Sequence, residues 1–159
     1  MILDIVIVIL FISLFIAFLL FFISMFFDSV IPFMFWGAFY AETEDKKIEK
    51  MIEFANIKPG EKAVDLGAGD GRIVIALAKK GIEAHGYEIN PILVAKAKDK
   101  IEKAGLKGKA FMHWGNFWKK DISGFDIIII FGISFIMKKL GKKLKKEAKD
   151  GSKIISNYF

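Results

Sequence analysis

Between Val64 and Arg72 the chain reads Val-Asp-Leu-Gly-Ala-Gly-Asp-Gly-Arg, with three glycines at alternate positions and with Asp65 and Asp70 as acidic neighbours. Glycines at this spacing, between a strand and a helix, let the backbone approach a ligand at the helix amino end. Glu88 follows Gly67 by about 20 residues, where a carboxylate can accept hydrogen bonds from ribose hydroxyls. This much fits any nucleotide-binding α/β protein. Two details discriminate. A dinucleotide loop carries a glycine where Arg72 stands, and Asp65 and Asp70 bracket the loop with negative charge that repels a pyrophosphate. A cationic ligand end, such as the ammonium and sulfonium of S-adenosylmethionine, is attracted there. That cofactor is expected in preference to a nicotinamide dinucleotide.

The elements that must position these residues are legible. Lys62 to Leu66 reads as a strand entering the loop, and a helix follows from about Gly71 to Lys80, stopped by Gly81. The next strand, Ala84 to Ile89, delivers Glu88. Asn90-Pro91 caps and opens a helix that Gly105 closes. Lys109 to His113 is a third strand. Phe125 to Phe131, apolar apart from Asp126, is a fourth, of the kind buried on both faces. A lysine-rich helix from about Ser134 to Lys149 and a strand from Ser152 to Tyr158 come last. Ahead of the first strand, Ile48, Met51, Ile52 and Ala55 repeat at helical spacing behind Thr43, which can cap that helix. Strands alternating with helices predict an α/β domain with a parallel sheet and right-handed crossovers.

The amino-terminal quarter differs in kind. Residues 1 to 41 carry Asp4 and Asp28 as their charges, whereas the remainder holds 24 basic against 16 acidic residues, a formal +8. Ile2 to Phe27 is nearly unbroken Ile, Leu, Val and Phe, and as a helix it would extend roughly 39 Å, enough to cross a ~30 Å hydrocarbon layer with tilt. Residues 1–28 are therefore expected to form a transmembrane helix. A cleaved signal peptide wants a basic start and a shorter apolar core. Lys46, Lys47, Lys50 and Lys58 follow the span and nothing basic precedes it. The expected topology is single-pass in the cell membrane, with the domain on the cytoplasmic side. A second apolar run, Val30 to Tyr40, is too short to cross and is interrupted by Pro32 and Gly37. With Phe33, Phe35, Trp36, Phe39 and Tyr40, residues 29–43 read as an interfacial aromatic linker or as the mouth of a site. The absence of cysteine excludes disulfides, thiolate metal sites and cysteine nucleophiles. No His/Asp/Glu cluster has metal-ligand spacing, so no metal is expected.

Residues 38 to 159 resemble the class I (seven-strand) S-adenosylmethionine-dependent methyltransferases. More narrowly, they are similar to the small archaeal and mitochondrial protein-lysine methyltransferases, relatives of the enzymes acting on adenine nucleotide translocase and the c subunit of ATP synthase. The resemblance rests on Asp65 through Ile75, on Gly86-Tyr87-Glu88-Ile89-Asn90-Pro91, on Gly115-Asn116-Phe117-Trp118, on the Phe131-Gly132-Ile133 turn and on Ile155 through Phe159. It implies a Rossmann-like doubly wound sheet over residues 44–159, five strands in the order 3-2-1-4-5, without the family's usual C-terminal hairpin. The fifth strand would then be an edge that needs cover from a second protein, as in an oligomer, or from the membrane, unless the reading frame is truncated. The resemblance also implies roles. Asp65, Gly67, Ala68, Gly69 and Gly71 would cradle the methionine end of the cofactor, and Glu88 the ribose, with Ile89 beside it. Asn116 would hold the adenine amino group, and Phe117 would lie against the ring. A family loop that folds over the cofactor, an aromatic followed by V-P-S/T, is matched at Tyr40 and Thr43 but lacks the proline.

Methyl transfer from a sulfonium is an in-line displacement, in which the protein positions the partners and controls charge. Asn157 and Tyr158, ending the last strand, and Tyr40 are the residues expected to shape a lysine channel. His85 and His113 read as structural strand residues first, with His113 near enough to Asn116 to reach the site. The helix from Ser134 carries Ile136, Leu140 and Leu144 on one face and lysines elsewhere, a solvated basic side or a contact for anionic lipid. The expected function is membrane-anchored methylation of protein lysines, on a membrane-associated protein partner and beside the lipid bilayer. A lipid headgroup amine methyltransferase and a non-catalytic cofactor-binding module are the alternatives. Phe131-Gly132-Ile133-Ser134 stands where exocyclic base methyltransferases carry D/N-P-P-Y/F, which argues against a nucleic acid substrate.

Overall fold

The computed structural model describes residues 2–36, 44–58, 60–132 and 134–158. The chain divides into two compact units, Met1–Phe39 and Tyr40–Phe159.

The first unit is one helix, α1, Ile2–Trp36. Its apolar side chains point outward all round, from Ile5 to Met25, with none of the stretch Asp4–Met25 buried. The hydroxyl of Ser13 donates to Leu10 O at 2.9 Å, so it is satisfied within the helix. By length and composition α1 can cross a membrane. The second apolar run does not form a separate segment, since the helix passes through Pro32 as far as Trp36. Proline removes one backbone donor, and the remaining peptide groups on either side still bond to each other within the helix.

The second unit is an all-parallel sheet with strand order β3-β2-β1-β4-β5, as expected. The strands are β1 Lys62–Leu66, β2 Glu83–Glu88, β3 Ala110–Trp114, β4 Ile127–Gly132 and β5 Lys153–Tyr158. The helices are α2 Asp45–Phe54, α3 Arg72–Lys79, α4 Pro91–Lys103 and α5 Ser134–Glu147, with a 3-10 turn at Phe117–Lys119. The N-cap of α2 is Glu44, one residue after Thr43, and it makes no side-chain capping bond. Thr43 itself lies outside the described residues. By contrast Asn90 caps α4 as its sequence predicts, accepting from Ile92 N at 2.9 Å ahead of Pro91.

Alternation along the strands sends their side chains into two cores. Ala63, Ala84, Ala110, Met112, Ile127 and Ile129 pack with Ile48 and Ile52 of α2, Val74 and Leu77 of α3, and Ala97 and Ile101 of α4. Alanines on β1, β2 and β3 let those helices approach the sheet closely. On the other face Val64, Leu66, Ile128 and Ile130 pack with Ile122 and with Leu140 and Leu144 of α5. The isoleucine run of β4 serves both faces. Asp126 stays outside the strand, where it accepts from Lys62 N at 2.8 Å and pairs with Lys149 at 2.5 Å. Strands β3 and β5 lie at the two ends of the sheet. Lys153 fastens β5 to the start of the domain, donating to Asn56 O at 2.7 Å and pairing with Glu61 at 2.9 Å.

Candidate active site at the carboxyl ends of strands 1, 2 and 3

The glycine loop leaves β1 at Leu66 and is pinned to β2 by its own amides. The N–H groups of Gly67 and Ala68 both donate to Tyr87 O, at 2.9 and 3.0 Å. Gly69 N–H donates to Glu88 Oε2 at 2.9 Å, and Gly71 N–H to Ala68 O at 2.9 Å. Four loop amides of the kind that cradle a phosphate elsewhere are thus consumed inside the protein. Positive φ angles at Gly67 (91°) and Gly69 (54°) make this path accessible to glycine. A Cβ built on Gly67 would meet nothing within 4 Å, so that face is open to a ligand.

Gly71 also has a packing role that its place in the motif does not reveal. A Cβ there would stand 2.8 Å from the Ala97 Cβ, so this glycine lets α3 begin against α4. Gly86, in the middle of β2, stands in a stretch that carries the resemblance but is given no role by it. Its Cβ would lie 2.6 Å from Ala68 Cβ and Met112 Sδ, and 2.8 Å from Val74 Cγ2. A lone glycine inside a strand is itself a sign of close backbone approach.

The two aspartates of the loop also part company. Asp70 is buried but neutralised: Arg72 grips it with Nε–Oδ1 at 3.1 Å and Nη2–Oδ2 at 3.2 Å, and Lys100 of α4 closes on Oδ2. It does not present negative charge to a ligand, which corrects the bracketing inferred from spacing. Asp65 is the opposite. It is 2% exposed, and its Oδ1 has no hydrogen-bond partner among the described residues. Burial, with the nearby Glu88 charge adding to it, pushes its pKa up to about 7. A buried acceptor in that condition is costly unless a donor arrives. The ammonium of a methionine-like ligand is such a donor. The residues present therefore fit an aminoacyl cation and do not fit a pyrophosphate.

Glu88 is held ready by two backbone donors, Gly69 N–H on Oε2 and Asn90 N–H at 2.8 Å on Oε1. These bonds fix the carboxylate at the end of β2 and leave further lone pairs for a diol. The loop after β3 is drawn in by Gly115 N–H to Glu88 O at 2.8 Å. Trp114 Nε1 donates to Ile89 O at 2.9 Å, which fixes the backbone of Ile89 beside Glu88. Asn116 caps the 3-10 turn, its Oδ1 accepting from Trp118 N at 3.0 Å, and the turn brings Phe117 against Trp118 with ring centroids 4.7 Å apart. One lone pair of that oxygen is thereby used.

The structure therefore brings Asp65, Gly67, Ala68, Gly69, Glu88, Ile89, Asn116 and Phe117 to the carboxyl ends of neighbouring strands β1, β2 and β3. Asn157 and Tyr158 occupy the last positions of β5, in register with Phe131 and Gly132. Tyr40 and Thr43 lie outside the described residues. The comparisons with known proteins are in accord with this geometry. A family model described as the ANTKMT methyltransferase domain matches residues 65–159.

The chain belongs to this family.

It is 40% identical over 114 residues to an ATP synthase c-subunit lysine N-methyltransferase of Homo sapiens, covering 72% of this chain and 48% of that protein. It is 37% identical over 122 residues to a protein-lysine N-methyltransferase of Saccharolobus islandicus, covering 76% of each. Among solved structures, an RNA methyltransferase of Salinibacter ruber, crystallised with S-adenosyl-L-homocysteine, superposes with a TM-score of 0.72 at 29% identity. That match covers 75% of this chain and 79% of that one. The chain spans about half the length of the mammalian relatives it matches.

The two histidines of this methyltransferase domain sit together on the sheet face opposite Ala84 and Gly86. His85 Nδ1 and His113 Nε2 are 2.9 Å apart, with the rings within 8° of parallel and centroids 5.2 Å apart, the geometry of an in-plane N–H···N bond. Glu83 Oε1 lies 2.9 Å from His85 Nε2, so neutral His85 donates there and accepts from His113. Burial, then His85, Lys120 and Lys98, hold the His113 pKa below its ordinary value. His113 thus accepts a proton more readily in the unfolded chain, and its contribution to stability is lost as pH falls below about 6.5. A histidine NMR titration should show His113 half-protonated below pH 6.5. A midpoint above that value would mean that burial and the neighbouring cations do not govern this ring.

Proposed function

We propose that this chain is a membrane-anchored, S-adenosylmethionine-dependent methyltransferase that acts on lysine side chains of proteins. The observation that carries the reading is the buried Asp65 Oδ1, without a hydrogen-bond partner among the described residues, beneath a glycine loop whose amides are already spent. Asp65 would hold the ammonium of the cofactor and Glu88 the ribose hydroxyls. Asn116, Ile89 and Phe117 would bound the adenine. When bound, the cofactor supplies an electrophilic methyl group on a sulfonium.

The chain's own part is to hold that end fixed and to receive an uncharged amine. A lysine of ordinary pKa, about 10.4, costs about 4.6 kcal/mol to keep neutral at pH 7. An apolar channel lowers that cost by desolvating the ammonium form. Asn157 and Tyr158, at the end of β5, together with Tyr40 are the proposed walls of that channel. The relatives named as lysine N-methyltransferases support this acceptor. Helix α1 supports anchoring, and the lysines that follow it support a cytoplasmic domain under the positive-inside rule.

Incubating the full chain with methyl-labelled cofactor and membranes tests the reading. Label is expected in protein, and as methyl-lysine after acid hydrolysis. Label in the lipid phase would instead point to a headgroup amine acceptor, and binding without transfer would point to a cofactor-holding module.

A further inference from the structure

Helix α5 divides cleanly into two sides. Leu140, Leu144 and Lys143 face the core, and Lys143 donates from Nζ to Lys120 O at 2.6 Å and to Glu147 Oε2 at 2.5 Å. The one acidic residue of the helix is therefore turned inward onto a buried lysine. Outward stand Lys138, Lys139, Lys142, Lys145 and Lys146, all exposed, on an arc of roughly 120° at 100° per residue. None of the five has a carboxylate partner among the described residues, and Lys139 lies 4.5 Å over the Trp118 ring.

This arrangement works against the helix itself. Lys138 with Lys142, and Lys142 with Lys146, are like charges at i,i+4, which destabilise a helix. Lys145 and Lys146, in the last turn, sit where the dipole favours cations, so the cost lies in the like-charge pairs and not in the dipole. Fold stability does not account for the stripe, whereas an anionic surface does. The aromatic ring that meets these lysines among the described residues is Trp118, whose face Lys139 already covers, whereas base stacking on a single-stranded nucleic acid needs an open ring.

We propose that the lysine face of α5 docks on an anionic lipid surface and so fixes the catalytic domain against the bilayer. This rests on the anchored reading of α1. Each lysine close to such a surface adds to the attraction, which salt screens within a Debye length.

The test uses the unmodified full chain in nanodiscs of phosphatidylcholine alone or with phosphatidylglycerol, and reads amine reactivity by mass spectrometry. In the anionic discs Lys138, Lys142, Lys145 and Lys146 should react at about one third of their rate or slower, and recover in about 0.5 M salt. Lys96 and Lys103 on α4 serve as internal references. Equal reactivity in both discs overturns the proposal. So does protection by an added RNA oligonucleotide without protection by anionic lipid. A chain that enters neither disc refutes anchoring separately. The same lipids are then offered as vesicles, where unchanged reactivity again overturns the docking proposal.

Discussion

Asp65→Asn should raise the melting temperature of the ligand-free chain and at the same time weaken its binding of S-adenosylhomocysteine by at least ~30-fold. The two signs follow from one atom. Asp65 is buried with Oδ1 unpartnered among the described residues, and its pKa is pushed up to about 7 by burial and by the Glu88 charge. In the folded state the proton is held more tightly than in the unfolded chain, whose carboxyl titrates near 3.8. The contribution to stability is therefore complete below about pH 3.8 and is lost as pH rises through about 7. An amide carries no charge to bury, so the variant should gain on the order of 2 to 4 kcal/mol at pH 8 and progressively less toward pH 5. Thermal melts at the two pH values, beside calorimetry with the demethylated cofactor, measure both effects. A variant less stable than the parent at pH 8 would mean that the carboxylate has a structural partner and is not reserved for a ligand.

Gly86→Ala is expected to cost about 1 to 3 kcal/mol of stability and most of the cofactor affinity. The added methyl would stand 2.6 Å from Ala68 Cβ and Met112 Sδ and 2.8 Å from Val74 Cγ2. The Met112 thioether can swing aside, but Ala68 is built into the loop and Val74 into α3. The strain must move the loop, and with it the Gly69 amide that rests on Glu88. Denaturant melts of Gly86→Ala, Met112→Ala and the double variant separate the contributions. Little rescue in the double variant identifies the rigid neighbours as the cause, and full rescue assigns the clash to Met112 alone. Gly67→Ala is the contrasting case, because its methyl would meet nothing within 4 Å. Its cost is the strained φ of 91°, about 1 to 2 kcal/mol, and its main effect should be on binding.

Much of the domain is legible in the chain because the signals are local. The loop glycines, the Asn90-Pro91 start of α4, the isoleucine run of β4 and the lysine periodicity of α5 each act within a few residues, so pattern alone locates them. The extent of α1 was less legible: the expected helix covers residues 1–28, yet the backbone stays helical through Pro32 to Trp36, since one missing donor leaves the flanking peptide groups bonded. The short turn at Phe117–Lys119 left no periodicity to find.

By itself the sequence determined the parallel α/β architecture, the acidic glycine loop and the apolar amino-terminal segment, all properties of composition and short-range order. Only the tertiary structure decided which of the two loop aspartates remains free. That depends on Lys100, brought from α4 onto Asp70, and on the lack of any such cation near Asp65 among the described residues. It also decided that the loop amides are spent on Tyr87, Glu88 and Ala68, and that Gly86 and Gly71 are demanded by close packing against neighbouring elements. Charge compensation and steric clearance are sums over neighbours in space, and the neighbours that decide them here lie on separate strands and helices of the chain.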